Sequence, residues 1–447
     1  MLSDNEIVAL VRQEVEDAQG YDEDVLAQKR AQAMQYYHGQ MWQAPEGRSN
    51  LVSHDVADAV HHTLSQITPM FQSSMINFMP ENEEDEKAAQ MESDVVRWMI
   101  ERNDGFAILN SAAHDALLVG NGWIKVDVEE TSDVETERYP LDITEEQLFL
   151  LSQPTAENQQ VDIRQNKKSW SIRRTTTTSE LTIKSISPDV MLFTYSYDQF
   201  EFDELRFVGE RKLMSESDLI GMGVKREDIE SIPRQDYSSW TASRAREGIY
   251  QDQAGEQEAK QSAEILRECF DCYMRIDLDE NGTSELRHLF YGGDVLIINE
   301  EAECIPYATG SPICIPHRIQ GTGLYELMYQ VQDAKTSILR KYVDGLEVSL
   351  QGKMGAVEGQ VNMQDLTNAR LNGVVRMRSP DAIVPIPSNA NSAEALGGLQ
   401  YLDSVAEQRG GASVELNTSD KQLMSSSATA ASGGLEIKEK MAGWYCH

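Results

Sequence analysis

Cysteine is scarce in this chain. Five cysteines in 447 residues cannot build a disulfide framework at this length, which fits a reducing, cytosolic origin. Long apolar runs are missing as well. No stretch approaches the ~18 apolar residues of a membrane span. The amino-terminal MLSDNEIVALVRQEVEDAQG is acidic and amphipathic, without the basic and apolar regions of a signal peptide. Basic residues are few: 39 Lys and Arg stand against 74 Asp and Glu, for a net charge of −35. That balance excludes a surface that coats nucleic acid, although a local basic contact remains compatible with it. Catalytic signatures are lacking too. There is no Walker motif, nucleophile elbow, HExxH or GxGxxG after a strand, so no enzyme and no cofactor are expected. What is present is ordinary apolar content, 40% before the 29 glycines are added, which excludes wholesale disorder. The length allows two or more domains with real cores.

The acidity is unevenly spread. Residues 1–130 hold 24 acidic and 8 basic side chains, and residues 131–320 hold 36 and 20, each a net of −16. Residues 321–447 hold 14 and 11, a net of −3. The last stretch is therefore expected to meet a different environment from the rest.

Periodicity makes the front helical. Ile7, Leu10, Val11 and Val15 form one stripe over residues 5–19, and a second helix runs from about Asp22 to Tyr37. Ser53 is placed to cap a third, carrying Val56, Val60, Leu64 and Ile67 until Pro69 interrupts it. The acidic run Glu81–Glu86 suits the positive end of a fourth, with Met91, Val95 and Met99 as its stripe and a stop at Asn103-Asp104-Gly105. A fifth runs from Phe106 to Gly120-Asn121-Gly122. There the period changes, and Ile124, Val126 and Val128 alternate with Trp123, Lys125 and Asp127 as in a strand. Residues 129–166, acidic and Gln/Asn-rich, predict an exposed excursion. Residues 169–187 predict β-structure, and Ser215 with Asp218 a short helix. The polar stretch 234–262 predicts a loop. Glu268–Ile276 and Glu285–Tyr291 read as a hairpin. The longest clean helix spans Thr322 to about Leu350, with Leu324, Leu327, Met328, Val331, Ala334, Ile338, Tyr342 and Leu346 on one face. Residues 352–388 are turn-rich and β-like. Another helix starts near Asn391, where Asn391 and Glu394 have capping-box spacing, and ends at Gly410-Gly411. Residues 412–434 predict a mobile Ser/Thr/Ala/Gly-rich loop. A last helix from about Leu435 still carries its stripe (Ile437, Met441, Trp444, Tyr445) at His447.

Three groups of residues resemble metal ligands. Cys269 and Cys272, with Cys304, Cys314 and His317, suggest zinc, but a strand sends residues three apart to opposite faces, so buried structural cysteines are expected. Asp277, Asp279, Asn281 and Gly282 match the start of a calcium loop. Its twelfth position is His288 rather than a bidentate Glu, and its flanks are strands; an Asn-Gly hairpin turn explains the same residues. His54, His61 and His62 with Asp55 and Asp58 sit on one helix without converging, which predicts ordinary i,i+4 pairing such as Asp58 with His62. No metal is therefore expected. The basic residues of 352–388, Lys353, Arg370, Arg376 and Arg378, outnumber the acids Glu358, Asp365 and Asp381 for a net of +1. Arg376 and Arg378 would share a face on a strand, to touch phosphates or an acidic partner. Local pairing with neighbouring acids is an equally good reading.

The order of the second half, long helix, compact β-like insert, second helix, loop and further helix, resembles the portal proteins of short-tailed double-stranded DNA bacteriophages. The stretches that carry the resemblance are SNLVSHDVADAVHHTLSQITPMF (49–71), RNDGFAILNSAAHDALLVGNGWIKV (102–126), RFVGERKLMSESDLIGMG (206–223), CYMRIDLDENGTSELRHLFYGGD (272–294), PHRIQGTGLYELMYQVQDAKTSILRKYVDGL (316–346) and VEGQVNMQDLTNARLNGVVRMRSPDAIVPIP (357–387). The resemblance implies an α+β portal fold assembled as a ring, usually of twelve copies, at one capsid vertex of the virion. Residues 1–320 would be the wing, helical over 1–120 and β-rich over 121–320 with polar loops near 129–166 and 234–262. Residues 321–351 would be a stem helix, 352–388 the clip, 389–411 the second stem helix, 412–434 a tunnel loop facing DNA, and 435–447 the start of a helix returning to wing or crown. The implied partners are DNA in the channel, the terminase large subunit, capsid and scaffolding proteins, and later head–tail adaptors. Assembly is expected in the host cytoplasm. Sequence-independent DNA or partner contact would concentrate at Lys353, Arg370, Arg376, Arg378 and Lys421. A head–tail adaptor would share the acidity and the lack of catalysis, but would not be expected to carry a helix–insert–helix stem of this length. A metal-binding soluble protein would need the 269–317 cluster to converge.

Overall fold

The computed structural model describes residues 3–72, 78–80, 85–139, 153, 159–165, 170–194, 205–234, 265–279, 281–350, 354–366, 374–385 and 392–410. Helix α1 (Asp4–Tyr21) starts where the Glu6 carboxylate accepts the Ser3 backbone N–H at 2.8 Å. It continues through one π-helical stretch, Asp22–Ala27, into α2 (Gln28–Tyr37) without a break. Helix α3 (Asp55–Gln72) follows an irregular segment, and α4 (Glu86–Arg102) and α5 (Gly105–Val119) come next. Between α4 and α5, Asp104 takes a left-handed conformation, φ 54°. Gly120 ends α5 at φ 102°, where a side chain would be strained.

Eleven strands among the described residues form two sheets and a ribbon. The first sheet has the order β2-β3-β1-β9, from β1 (Gly122–Tyr139), β2 (Gln159–Gln165), β3 (Trp170–Ile186) and β9 (Tyr307–Gly310). The second has the order β4-β5-β6-β7-β8, from β4 (Met191–Phe193), β5 (Phe207–Ser215), β6 (Leu266–Ile276), β7 (Glu285–Gly292) and β8 (Val295–Glu301). Two short helices, α6 (Glu216–Gly221) and α7 (Arg226–Ser231), follow β5, and the Ser215 hydroxyl caps α6 by accepting the Asp218 N–H at 3.2 Å. The long helix α8 (Leu324–Leu350) leads to β10 (Met354–Ala356), a single turn α9 (Met363–Leu366), β11 (Ile383–Pro385) and α10 (Ser392–Gly410).

Each sheet face finds its own cover, because side chains alternate along a strand. In β6, Cys272 and Met274 face α1, meeting Ile7, Val11 and Val15. On the other face, Tyr273 packs with Trp123 and Tyr307 of the first sheet, while Cys269 clusters with Leu219 of α6, Ile229 of α7 and Ile232 just after it. A fourth core is helical. Val56, Val60 and Ile67 of α3, Leu117 and Leu118 of α5, and Leu324 and Met328 of α8 come together there.

Several expectations need correction. Leu10, assigned to the stripe of α1, is exposed, and Val8 and Ala18 are buried instead. Pro69 does not stop α3, which runs three residues further. The Ser53 hydroxyl donates to Asp55 at 2.6 Å rather than accepting a helix N–H. The stripe of α4 faces outward, with Met91 and Val95 exposed and the small Ala89 and Ser93 inside. The excursion predicted from residue 129 is a strand as far as Tyr139, paired residue by residue with Trp170–Ile186. This ladder is about 55 Å long at the usual strand rise. Its acidic strand looked loop-like alone, but the register sets it against β3, whose Arg174 reaches Glu137 at 3.6 Å, a cross-strand pairing that no single strand reveals. Residues 235–264, covering most of the predicted polar loop, lie outside the described residues.

Candidate functional site

The long helix and its partner are the feature that the charge pattern set apart. Helix α8 spans 27 residues, about 40 Å at 1.5 Å per residue. Gly398 of α10 lies beside Ile338, Asp403 pairs with Lys335, and Gly410 lies against Met328 and Ala59. Positions rising on one helix meet positions falling on the other, so the two run antiparallel, joined by the insert that carries β10 and β11.

The body grips α8 from its start as far as Asp344. The entry is a close crossing of two Gly-x-Gly segments: a Cβ on Gly120 would sit 2.5 Å from the Gly321 carbonyl oxygen, and one on Gly323 2.4 Å from that of Leu118. Asn121, fully buried between them, donates to the Ile319 carbonyl at 2.9 Å and accepts the Gly321 N–H at 2.9 Å. Beyond Val331, the buried side of α8 is polar, which the apolar stripe did not predict. Gln332, Thr336, Arg340 and Asp344 recur every four residues and bind the backbone of residues 36–56. Gln332 accepts from Val56 N–H and donates to the Tyr36 carbonyl, both at 2.9 Å. Thr336 accepts from Ser53 N–H at 3.2 Å, and Asp344 from Ser49 N–H at 2.8 Å. Arg340 donates to the carbonyls of Leu51 and Trp42 at 2.9 and 2.7 Å, with its guanidinium over the Trp42 ring. An irregular segment needs partners for its buried N–H and C=O groups, and here one helix face supplies them. Polar residues at i,i+4 spacing were the available signal.

Lys335 ties three helices together. Its ammonium pairs with Asp55 of α3 and, at 2.7 Å, with Asp403 of α10. Burial alone would lower the Lys335 pKa, but Asp403 and Asp55 outweigh it and hold the amine charged. Asp55 is thereby committed to structure. His61 bonds Tyr37 and His62 bonds Gln66, each at 3.0 Å, so the expected pairing of His62 with Asp58 is replaced by one with Gln66.

The insert is thin. Its ribbon pairs Met354 with Pro385 and Ala356 with Ile383, and only Val361 and Ala382 among its described side chains are buried hydrophobics. Arg376 and Arg378 do not lie on one of its strands; they flank Met377, which forms an isolated bridge with Val361. Arg376 is engaged locally, with Nε and the terminal amine 2.7 and 3.1 Å from the Asp365 carboxylate, a hydrogen-bonded pairing that draws the Asp365 pKa down. Of the two open readings, local pairing therefore describes Arg376. Arg378 is exposed and uses its backbone N–H to bond Gln360 at 2.9 Å. Lys353, Arg370 and Lys421 lie outside the described residues, as do Asn391, the 412–434 loop and the 435–447 helix.

A second polar assembly, unforeseen in the sequence, joins the two sheets. Lys125 of β1 is 4% exposed and reaches Asp271 at 2.7 Å, Asp127 at 3.0 Å and Glu210 at 3.8 Å. Asp271 also binds Lys212 at 2.6 Å and His288 at 2.7 Å. Burial pushes Asp271 upward, yet His288, Lys212 and Lys125 overcome it and hold the carboxyl below its ordinary range. In β1, then, the face turned inward is that of Trp123 and Lys125, while Val126 and Val128 are exposed. The alternation marked a strand without saying which side was wet.

Cys269 and Cys272 are buried on opposite faces of β6, and Cys304 and Cys314 are exposed. The Asp277 carboxylate accepts the backbone N–H groups of Asn281 and Gly282 at 3.1 and 2.7 Å, which closes a hairpin turn. Among the described residues no group of three or more metal-ligating side chains converges, and no helix is long and apolar enough to cross a membrane.

A family model described as "Phage SU10 portal protein" matches residues 7–442, and the chain belongs to that family. Its function is that of a phage portal protein, a structural component of the virion capsid. No match was found among curated proteins.

Proposed function

We propose, on the premise of that membership, that about twelve copies of this chain close into a ring at one capsid vertex and that viral DNA passes through it during packaging and ejection. Residues 1–320 form the wing, 321–351 and 389–411 the stem, 352–388 the clip, 412–434 the tunnel loop, and 435–447 the start of a return helix. The observation that carries this reading is the antiparallel pair α8 and α10, held by the body along α8 as far as Asp344 and joined beyond it by a small insert. A helix pair so mounted can line a channel when copies repeat around an axis. The near-neutral charge of residues 321–447 suits a conduit, since strong phosphate contacts would hold DNA rather than let it slide.

DNA or partner contact is sequence-independent and falls on Lys353, Arg370, Arg376, Arg378 and Lys421. Arg378 is the better of the two described candidates, because Arg376 already spends its guanidinium on Asp365. The chain itself catalyses nothing; the terminase that docks on it supplies the motor. Scaffolding and capsid proteins, and later head–tail adaptors, complete its partners, with assembly in the host cytoplasm. Negative-stain imaging with mass measurement of the purified chain tests the reading. A ring with a central hole is the expected result, and a monomer or dimer without one overturns it.

A further inference from the structure

We infer that residues 435–447, through Ile437, Met441 and Trp444, fill the apolar cleft between α3, α5 and the first sheet of the same chain. The inference rests on the return-helix reading above and names where that segment lands.

The cleft exists because the side chains around it are small. Leu109, Ala112, Ala113 and Ala116 line it from one face of α5, at i, i+3, i+4 and i+7. Gly122 of β1 with Ala308 and Gly310 of β9 line it from the sheet, and Thr63 and Ile67 from α3. Its volume is about 370 Å³, the size at which ligand pockets begin and far above the voids that packed interiors leave. The walls are set firmly. Gly122 lies so close to the Ala112 carbonyl that a Cβ would have no room there.

The lining calls for an apolar occupant. None of its residues is charged. The Thr309 hydroxyl is already used, donating to the Gly122 carbonyl at 3.2 Å and accepting from Asn121 at 3.1 Å. The Ser311 hydroxyl donates to the Ile313 carbonyl at 3.3 Å.

The end of α10 says which occupant is at hand. A Cβ on Gly410, the last described residue, would lie 3.2 Å from that of Ala59 on α3. Thr63 and Ile67 follow Ala59 by four and eight residues, about 6 and 12 Å along that helix. An extended chain crosses 12 Å in about four residues, and residues 411–434 stand between α10 and the apolar stripe. Ile437, Met441 and Trp444 recur at i, i+4 and i+7, and Glu436, Lys438 and Glu439 fall outside that face. Residues 411–447 hold four acids and three bases, a net of −1 in a chain of −35, so docking in an uncharged cleft strips no excess charge of water. A tether of this kind holds the segment at an effective concentration of about a millimolar, which favours the chain's own residues over a separate partner.

The experiment uses the full chain. Benzoylphenylalanine at position 444 is irradiated in a mixture of 15N-labelled and unlabelled chains, and the crosslinked peptides are sequenced by mass spectrometry. Crosslinks to residues 109–116 or 63–67 within one isotopic form are expected. Hydrogen exchange of residues 435–447 is compared in the wild type, Trp444→Ser and Ala113→Phe, which fills the cleft. Both substitutions should speed that exchange about tenfold or more and leave β5–β7 unchanged. Trp444→Ser keeps the test open if Ala113→Phe does not fold, because it leaves the cleft intact. Crosslinks only elsewhere, products joining labelled to unlabelled chain, or unchanged exchange in Trp444→Ser each overturn the inference. A ring without the crosslink overturns it and leaves the portal reading standing; the crosslink in a chain that forms no ring does the reverse.

Discussion

The ion cluster between the two sheets gives the sharpest quantitative test. Asp271 is the shared acceptor of Lys125, Lys212 and His288 at 2.6 to 2.7 Å, and its side chain is 5% exposed. Asp271→Asn would leave Lys125, almost fully buried, with Asp127 and the more distant Glu210. Removing one partner of a buried pair costs about 3–5 kcal/mol, because an uncompensated charge stays behind. Lys125→Met roughly preserves volume and leaves Asp271 with Lys212 and His288 as hydrogen-bond donors, so it should cost about 2 kcal/mol. Urea unfolding followed by circular dichroism would rank the two, with an unchanged m-value as the condition for comparison. There is also a pH signature. The folded Asp271 pKa lies below the unfolded value of about 3.9. Its contribution is therefore fully present above about pH 5 and is lost as pH falls through 4 and lower, where the unfolded chain binds a proton that the folded one does not. Asp271→Asn should remove that part of the acid slope. Equal costs for the two variants, or a steeper acid slope in Asp271→Asn, would refute the view that Asp271 is the hub.

Lys335→Met should destabilise the chain by about 2 kcal/mol, less than a fully buried pair would lose because Asp403 is half exposed and screened by water; thermal melts of the variant and wild type measure it. Thiol titration should find Cys304 and Cys314 reactive in the folded chain, while Cys269, whose pKa burial pushes up to about 12, and the fully buried Cys272 react only on unfolding. Early reaction of Cys269 would show that the packing by α6 and α7 is looser than described. Ring assembly should strengthen with moderate salt or multivalent cations, which screen repulsion between acidic copies. Light scattering at several ionic strengths checks this, and dissociation in salt would mean that attractive ion pairs dominate.

Helix boundaries were legible wherever local chemistry decides them. Asn103-Asp104-Gly105 and Gly120-Asn121-Gly122 stop α4 and α5 because a left-handed residue ends a helix whatever lies around it. The 277–282 turn was legible for the same reason, with Asp277 folding back on its own backbone. Exposure was not legible. Met91 and Val95 looked like core, since periodicity reports that a helix has an apolar side and not that anything covers it. The acidic strand to Tyr139 was missed because its partners are some 40 residues further along the chain. Lys125 and Asp271 gave no sign of each other across 146 residues.

By itself, the scarcity of cysteine and of basic residues argued against a disulfide framework and a nucleic-acid-coating surface, and the order of helix, insert and helix gave the likeness that the family match then bore out. Those are one-dimensional properties: composition, spacing and stop signals act over a few residues. Only the tertiary structure decided which face of β1 is wet, that Asp55 and Lys335 serve the helix bracing, and that Arg376 is already paired. Each of these depends on which distant groups share a low-dielectric space, and that is set by the packing of whole elements.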